Sequence, residues 1–308
     1  MDELQVLINL NTLGEHYQKN LLEDKKTNNP ESNWWNGLNF FFNRAFDRGR
    51  NDRLSHKYRT FTIKVLLHRY KLDQKNLIQS FKLIQDDDKH NIFDKSIIND
   101  IKTNPKSNAL KNKSFNNTVA QRNDLIQALF TEQQLEIDYT EFDEGKKLEK
   151  VHLGLDKDYI MVLDTLKFIC SNEPNNIYIF LKNSIKKDGF KSTFDYLTDG
   201  ETGIDYIGDK LGTFVIRDMV LMDPDLLKYK GLDYRMMFPV DRWVRRIHKK
   251  LTHRENTKDI QIKDDFIEKC GDDFSPPIIA AGLWYLSFKS LDLLVNNLDK
   301  IEILLNND

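Results

Sequence analysis

The chain has 308 residues, 40% of them hydrophobic and 31% charged, which suffices for one large domain or two ordinary ones with a real core. The formal net charge of −2 argues against a generic polybasic nucleic-acid binder. Two widely separated cysteines, Cys170 and Cys270, cannot form a four-cysteine cluster and give no reason to expect disulfides. The acidic start MDELQVLINL does not resemble a signal peptide, and no apolar run reaches the length of a membrane span. We therefore expect a soluble, cytoplasmic protein without membrane contact.

Apolar residues recur mostly at intervals of three or four, and glycine and proline are scarce, so the sequence predicts an all-α fold. Residues 83–118 are rich in Asn, Lys and Asp and are interpreted as a long surface excursion with one short helix. The short apolar patches in residues 135–142 predict a minor β-hairpin. The predicted helices are, in chain order, residues 1–23, 33–50, a run through Leu54 and Leu66, a run through Leu125 and Leu129, 159–170, 176–186, 190–198, a run from Lys210, a run from Asp241 to Leu251, 263–270 and 276–306.

Residues 203–251 place one lysine and one carboxylate at two predicted helix starts. A tight turn carrying Gly208 leads into the run with Lys210, and Pro239 and Val240 precede Asp241 at the start of the second run. The positive end of a helix dipole disfavours the ammonium form of Lys210 and so favours a nucleophilic amine. The same field favours an ionised Asp241, which can stabilise positive charge developing on a sugar carbon or accept a proton. Taken singly, such residues are usually a surface lysine and a helix cap.

The combination of Ile207-Gly208-Asp209-Lys210 with a downstream Pro-Val-Asp element and an arginine-bearing helix resembles the helix–hairpin–helix DNA glycosylases. This is the superfamily of endonuclease III and the 8-oxoguanine glycosylases. The resemblance implies that the backbone N–H groups around Ile207 and Gly208 bind DNA phosphate. It also implies that Lys210 is the nucleophile and that Asp241 is the essential carboxylate.

The same resemblance implies two helical domains with an active-site cleft between them. The domain of residues 33–225 would end with the hairpin, and residues 1–32 with 226–308 would form the domain carrying the aspartate. The long connection between Lys210 and Asp241 and the lack of four cysteines are similar to the archaeal 8-oxoguanine glycosylase branch, which has no iron–sulfur cluster. Where the family's hairpin usually has glycine, this chain has Tyr206, so we expect the phosphate geometry to differ there.

A base pocket and a DNA-binding surface are also predicted. Trp284 is a candidate for stacking on a flipped purine, although such a tryptophan is more often a core residue. The other predicted pocket residues are Phe214, Pro239 and Asn43. For Phe214 a core role is again the more frequent alternative, and the amide of Asn43 can read a base edge. The basic residues predicted to contact DNA phosphate, from two local basic patches, are Arg50, Arg53, Arg242 and Arg245. No spacing of His, Cys and carboxylates indicates a metal, and we expect neither a metal nor another cofactor.

The resemblance implies a DNA N-glycosylase with AP lyase activity that excises an oxidised purine, 8-oxoguanine, from duplex DNA, and we expect a monomer. Such an enzyme would be cytoplasmic, and nucleoid-associated in a prokaryote. One alternative is a glycosylase for uracil, an oxidised pyrimidine or an alkylated base. A second is a non-catalytic DNA-binding protein of the same fold, and a third is a helical interaction protein in which the motif is a coincidence.

Overall fold

The computed structural model describes residues 3–47, 52–70, 128–142, 144–153, 156–199 and 203–288. These residues are mostly helical with one two-stranded sheet, which confirms the predicted all-α class with a minor β-hairpin. The helices are α1 (Glu3–Thr27), α2 (Trp34–Ala45), α3 (Asp52–Tyr70), α4 (Asp156–Ser171), α5 (Ile177–Asp188), α6 (Phe190–Thr198), α7 (Asp209–Met222), α8 (Arg242–Thr252), α9 (Asp259–Cys270) and α10 (Pro276–Phe288), with 3-10 helices at Thr140–Phe142, Pro224–Lys228 and Tyr234–Met237. The predictions for residues 83–118, for the helix at Leu125 and for residues 289–306 lie outside the described residues.

The chain divides into two compact units. The first unit contains residues 1–36, 181–203 and 207–308, and the second unit contains residues 37–180 and 204–206. The predicted domains, residues 33–225 and residues 1–32 with 226–308, stay a prediction.

The second unit contains the β-hairpin and an aromatic core. Strand β1 (Gln133–Asp138) pairs antiparallel with β2 (Lys146–Val151), and both strands pack against α3. Phe42 of α2 and Phe46, the residue after its end, are buried and meet edge to face with their ring centroids 5.5 Å apart. The aromatic content of this helix therefore serves the core, as the apolar spacing predicts.

Helix α7 is the central element of the first unit. Every residue from Leu211 to Met222 is buried, including two charged ones. A helix that is apolar on nearly all sides is stable only when other elements surround it. Helices α1, α6 and α10 and the 3-10 helix Tyr234–Met237 pack against α7 and cover it.

Helices α1 and α10 pack against each other in antiparallel fashion through two glycines. A Cβ atom on Gly282 would lie 1.9 Å from the backbone oxygen of Leu10, and one on Gly14 would lie 2.0 Å from the backbone oxygen of Ile278. Because both obstacles are backbone atoms, a side chain at either position would force the two helices apart.

Gly282→Ala is expected to lower the free energy of unfolding by about 1–3 kcal/mol, because overpacking outweighs the better helix propensity of alanine. Urea denaturation measures this change. Gly208→Ala is the matched control, since φ there is −92° and an added Cβ would meet nothing within 4 Å. If both variants unfolded at the same urea concentration as the wild type, the close helix contact would be refuted.

Candidate active site

The turn before α7 has one residue in an unusual backbone conformation. Tyr206 has φ of 66°, in the left-handed region that glycine adopts most easily. Gly208 is the N-cap of α7 with an extended backbone, and the space beside its Cα is open. The side chain of Ile207 is buried between them and anchors the turn. The backbone at Gly208 is thus accessible to a ligand.

Helices α6 and α7, which flank this turn, approach each other closely at Gly212. A Cβ atom on Gly212 would lie 2.5 Å from the Thr198 methyl carbon and 3.1 Å from the Phe194 ring. The absence of a side chain at this position lets the end of α6 pack directly on the first turn of α7.

Lys210 is the second residue of α7 and is half-buried. Its Nζ atom lies 5.3 Å from the ring centroid of Phe214, within the range of a cation–π contact. The two residues are four apart on the helix, the spacing that brings side chains together on one face. The amine is therefore held against an apolar wall.

Phe214 in turn contacts Trp284 of α10. The two rings meet edge to face, with centroids 5.6 Å apart, and Trp284 meets Tyr17 of α1 in the same manner at 5.3 Å. Phe214 is buried and Trp284 is half-buried. Because Phe214 and Trp284 touch directly, this arrangement leaves no slot between their rings, and only the open part of Trp284 offers a surface for stacking.

A buried charge pair lies beyond this aromatic row. Arg217 and Asp218 are 0% and 1% exposed, and Arg217 Nε donates to Asp218 Oδ1 at 2.8 Å. The Tyr17 hydroxyl donates to Asp218 Oδ2 at 2.8 Å, and Arg217 Nη1 donates to the backbone oxygen of Ala280 at 3.4 Å. The guanidinium also lies over the rings of Phe214 and Tyr17. The pair therefore joins α7 to both α1 and α10.

Asp241 is the N-cap of α8. Its Oδ1 atom accepts hydrogen bonds from the backbone N–H groups of Trp243 at 2.8 Å and Val244 at 3.0 Å. Pro239 and Val240, which precede it, are buried. The 3-10 helix Tyr234–Met237, just before them, packs on α7. The position of Asp241 is thus fixed in the same unit that holds Lys210.

Trp243 organises the basic residues at the start of α8. The guanidinium carbons of Arg242 and Arg246 lie 4.5 and 4.8 Å from its ring centroid. Trp243 itself packs partly against the core of the first unit. The indole therefore holds two guanidinium groups of α8, the helix that Asp241 caps.

Four further basic residues of this stretch have acidic partners, which the local sequence does not reveal. Arg245 pairs with Asp259, so a phosphate at Arg245 would compete with a carboxylate. His248, which is buried, bonds to Asp265. The further pairs are Lys249–Glu255 and Arg254–Asp265.

Two of the predicted residues lie in the second unit, where Arg53 pairs with Glu144 and Glu149. The pKa of Glu149 is lowered mainly by a hydrogen bond from Lys57, and the charge of Arg53 also contributes. These effects outweigh partial burial, which would raise it.

The amide oxygen of Asn43 is buried and has no hydrogen-bond partner in the part of the chain that the structure describes. Arg50 lies outside the described residues.

The structure brings Lys210, Phe214 and Trp284 into one contiguous row, and it places the remaining predicted residues of the first unit at the starts of α7 and α8. Sequence reasoning missed five residues of this region, namely Tyr17, Arg217, Asp218, Trp243 and Lys263. Only Arg217 and Asp218 could have been found from the sequence, because they form an Arg–Asp pair inside an otherwise apolar helical run.

An open polar cavity of about 510 Å³ lies beside the loop after α8 and the first turns of α9, and none of the predicted site residues lines it. Over the described ranges, no cluster of three or more His, Cys, Asp and Glu side chains has a geometry suited to a metal ion. No helix within those ranges is both long and apolar enough to cross a membrane.

Comparisons with known proteins gave no match, neither to a protein-family model, nor to a curated protein, nor to a solved structure.

Proposed function

We propose that this chain is a DNA glycosylase with AP lyase activity, in which α6, the turn before α7, and α7 form a helix–hairpin–helix motif. Three features support the motif: the close approach of the helices at Gly212, the left-handed backbone at Tyr206 and the open backbone at Gly208. A helix N-terminus with accessible N–H groups suits a DNA phosphate.

One observation carries the proposal. Lys210 and Asp241 lie at the starts of two helices of one compact unit, and a 3-10 helix just before Asp241 packs against the helix that bears Lys210. A lysine against an apolar wall and a carboxylate fixed by two backbone N–H groups are the two groups that base excision through an imine requires.

In the proposed reaction, the neutral amine of Lys210 attacks C1′ of the flipped nucleotide. The N-glycosidic bond breaks, its electron pair leaves with the base, and the base takes up a proton. The ionised Asp241 stabilises the positive charge that develops at C1′. The nitrogen of Lys210 then loses a proton, and its electron pair forms the C1′ iminium as the C1′–O4′ bond breaks and O4′ takes up a proton. Loss of the C2′ proton to solvent breaks the C3′–O bond and expels the 3′ phosphate by β-elimination.

The substrate is proposed to be duplex DNA with an oxidised purine, 8-oxoguanine. The half-buried Trp284 supplies the stacking surface for the flipped base, next to the wall that Phe214 forms beside Lys210. Arg242 and Arg246, held on Trp243, supply cations for the DNA backbone near Asp241.

Borohydride trapping tests the proposal. The wild-type protein is incubated with duplexes that each carry one 8-oxoguanine, uracil, oxidised pyrimidine, alkylated base or abasic site. We expect a covalent protein–DNA adduct and a β-elimination product with the 8-oxoguanine and abasic duplexes. Adducts on another lesion alone would replace the substrate, and salt-dependent binding without base release or adduct on any duplex would refute the enzyme.

Asp241→Asn is expected to slow single-turnover base release by about 10²-fold, because an amide cannot supply the negative charge. Stability should change by less than about 0.5 kcal/mol, since asparagine is also a good N-cap. Asp241→Ala should slow single-turnover base release to the same extent and, in addition, lower the free energy of unfolding by about 1 kcal/mol. An Asp241→Asn variant with the wild-type rate would reduce the role of Asp241 to capping.

A further inference from the structure

The turn before α7 contains a residue whose own side chain disfavours its backbone conformation. Tyr206 has φ of 66°, and a Cβ atom makes this left-handed conformation costly for residues other than glycine. Strained residues of this kind persist only where the surrounding structure enforces them. A contact outside the Tyr206 backbone must therefore hold the turn.

The chain is anchored on both sides of Tyr206. Ile204 and Ile207 are each only 2% exposed, whereas Asp205 and Tyr206 between them are exposed. Burial of the two isoleucines fixes the ends of the turn. It does not by itself select the backbone conformation of the two exposed residues, because apolar packing is not directional. A directional contact is needed as well.

Helix α4 supplies that contact. The backbone N–H of Asp205 donates to Asp164 Oδ2 at 2.7 Å, and the two residues are 41 positions apart in the chain. Asp164, Asp205 and Tyr206 all belong to the second unit. A hydrogen bond to a charged acceptor is stronger than one between neutral groups. This bond fixes the peptide group at the entry to the exposed part of the turn.

The fold keeps the Asp164 carboxylate in an unfavourable place. Asp164 is half-buried on α4, and its neighbours Leu163 and Thr165 are buried. Burial raises the pKa of Asp164 above its ordinary value, and the Asp205 carboxylate adds to the rise. The hydrogen bond from the Asp205 N–H and the charge of Lys167 act in the opposite direction. A carboxylate in such surroundings needs its hydrogen bond and is not an ordinary solvated side chain.

We propose that Asp164 is a positioning residue, which holds the turn in the left-handed conformation of Tyr206 by accepting the Asp205 N–H. Its role in DNA binding rests on the proposed function, in which the backbone around Gly208, two residues after Tyr206, binds phosphate. Without the hydrogen bond, Tyr206 moves toward the ordinary backbone regions and presents Gly208 differently. A smaller fraction of molecules then has the turn that binds, and the apparent affinity falls by that fraction.

Hydrogen exchange tests the hold on the turn without DNA. Exchange of the Asp205 amide is followed by NMR, or by mass spectrometry of peptides covering residues 203–208. In Asp164→Ala we expect it to be about tenfold faster than in the wild type, because a hydrogen bond to a charged acceptor is lost. Asp164→Asn, the matched control, keeps an acceptor oxygen and should retain most of the protection. An unchanged exchange rate in Asp164→Ala overturns the proposal.

DNA binding tests the consequence of holding the turn. The probe is a duplex with one tetrahydrofuran abasic analogue, which cannot form an imine with a lysine, and its Kd is measured by fluorescence anisotropy at one low salt concentration. Asp164→Ala should bind about fivefold more weakly than the wild type, because the left-handed conformation is then disfavoured. Asp164→Asn should bind as the wild type does. Wild-type affinity in Asp164→Ala would refute the role in DNA binding.

Tyr206→Gly distinguishes control of the turn from a general packing defect. Glycine adopts the left-handed conformation without a Cβ penalty, so Asp164→Ala should weaken binding only about twofold in the Tyr206→Gly background. Glycine at residue 206 would not correct a packing defect around residue 164, so an equal loss in both backgrounds overturns the proposal. If Asp164→Ala alone does not fold, the double variant should fold, and a double variant that is also unfolded overturns it.

Base release separates this proposal from the proposed function. Wild-type protein that binds the duplex but releases no base from any lesion refutes the glycosylase, and the binding comparison still decides the role of Asp164. Wild-type protein that binds no duplex refutes the proposed function together with the role of Asp164 in DNA binding. Hydrogen exchange then decides alone whether Asp164 holds the turn.

Discussion

Lys210→Gln is expected to abolish the borohydride-trapped adduct and to slow base release by at least about 10²-fold. Glutamine preserves helix propensity and much of the side-chain length, but its amide nitrogen is not nucleophilic and cannot form an imine. The change therefore removes the chemistry and leaves the first turn of α7 in place. Denaturing gels after borohydride reduction measure the adduct, and strand cleavage after alkali measures base release.

Lys228→Gln is the matched control for this experiment. Lys228 is an exposed lysine of the first unit that pairs with Asp225, so the same substitution there should leave trapping unchanged. If Lys210→Gln still gave an adduct of wild-type yield, another amine would be the nucleophile and the assignment of Lys210 would fail. Loss of trapping in both variants would instead indicate a general effect of charge on DNA binding.

Arg217→Met is expected to lower the free energy of unfolding by about 3–5 kcal/mol, because it leaves the carboxylate of Asp218 buried without its cation. Both side chains are almost completely inaccessible, and three helices meet at the pair. Urea or thermal denaturation measures the loss. This is the largest change in stability that we expect from a single substitution in the first unit.

The double variant Arg217→Met, Asp218→Leu distinguishes a pairing requirement from a packing defect. Replacing both charges with apolar groups of similar size removes the unpaired charge, so the double variant should be more stable than Arg217→Met alone. Equal stability of the single and double variants would show that the lost packing of the arginine stem, and not the buried charge, accounts for the effect.

Much of the fold follows from local spacing. The predicted helix over residues 190–198 has the bounds of α6, and the apolar patches near residue 137 form the predicted hairpin. In both cases the pattern reflects burial on one face, which the sequence reports directly. Helix α9 begins at Asp259, four residues before its predicted start. Its first turn contains Ile260, which is exposed, and Ile262, which is buried, and two apolar residues at an interval of two do not indicate a helix.

The side-chain contacts of the site could not be predicted from the sequence, because they join positions that are far apart in the chain. The hydrogen bond between Tyr17 and Asp218 spans 201 residues, and Lys263 reaches Asp209 across 54 residues. Similarly, the basic run from Arg242 to Arg254 contains no acid, yet acids just beyond it pair with several of its members. Local charge therefore overstated how much of this face is available to phosphate.

The contact between α1 and α10 has a consequence for how the protein is made. Helix α1 leaves the ribosome long before α10 exists, and its ion pair with α9, between Glu3 and Lys269, likewise joins positions 266 residues apart. Until α10 is synthesised, the apolar stripe of α1, with Val6, Leu10 and Leu13, has no glycine-lined partner to cover it. The unit that carries Lys210 and Asp241 therefore completes its folding only after almost the whole described chain has emerged, whereas the hairpin and aromatic core of the second unit are already available.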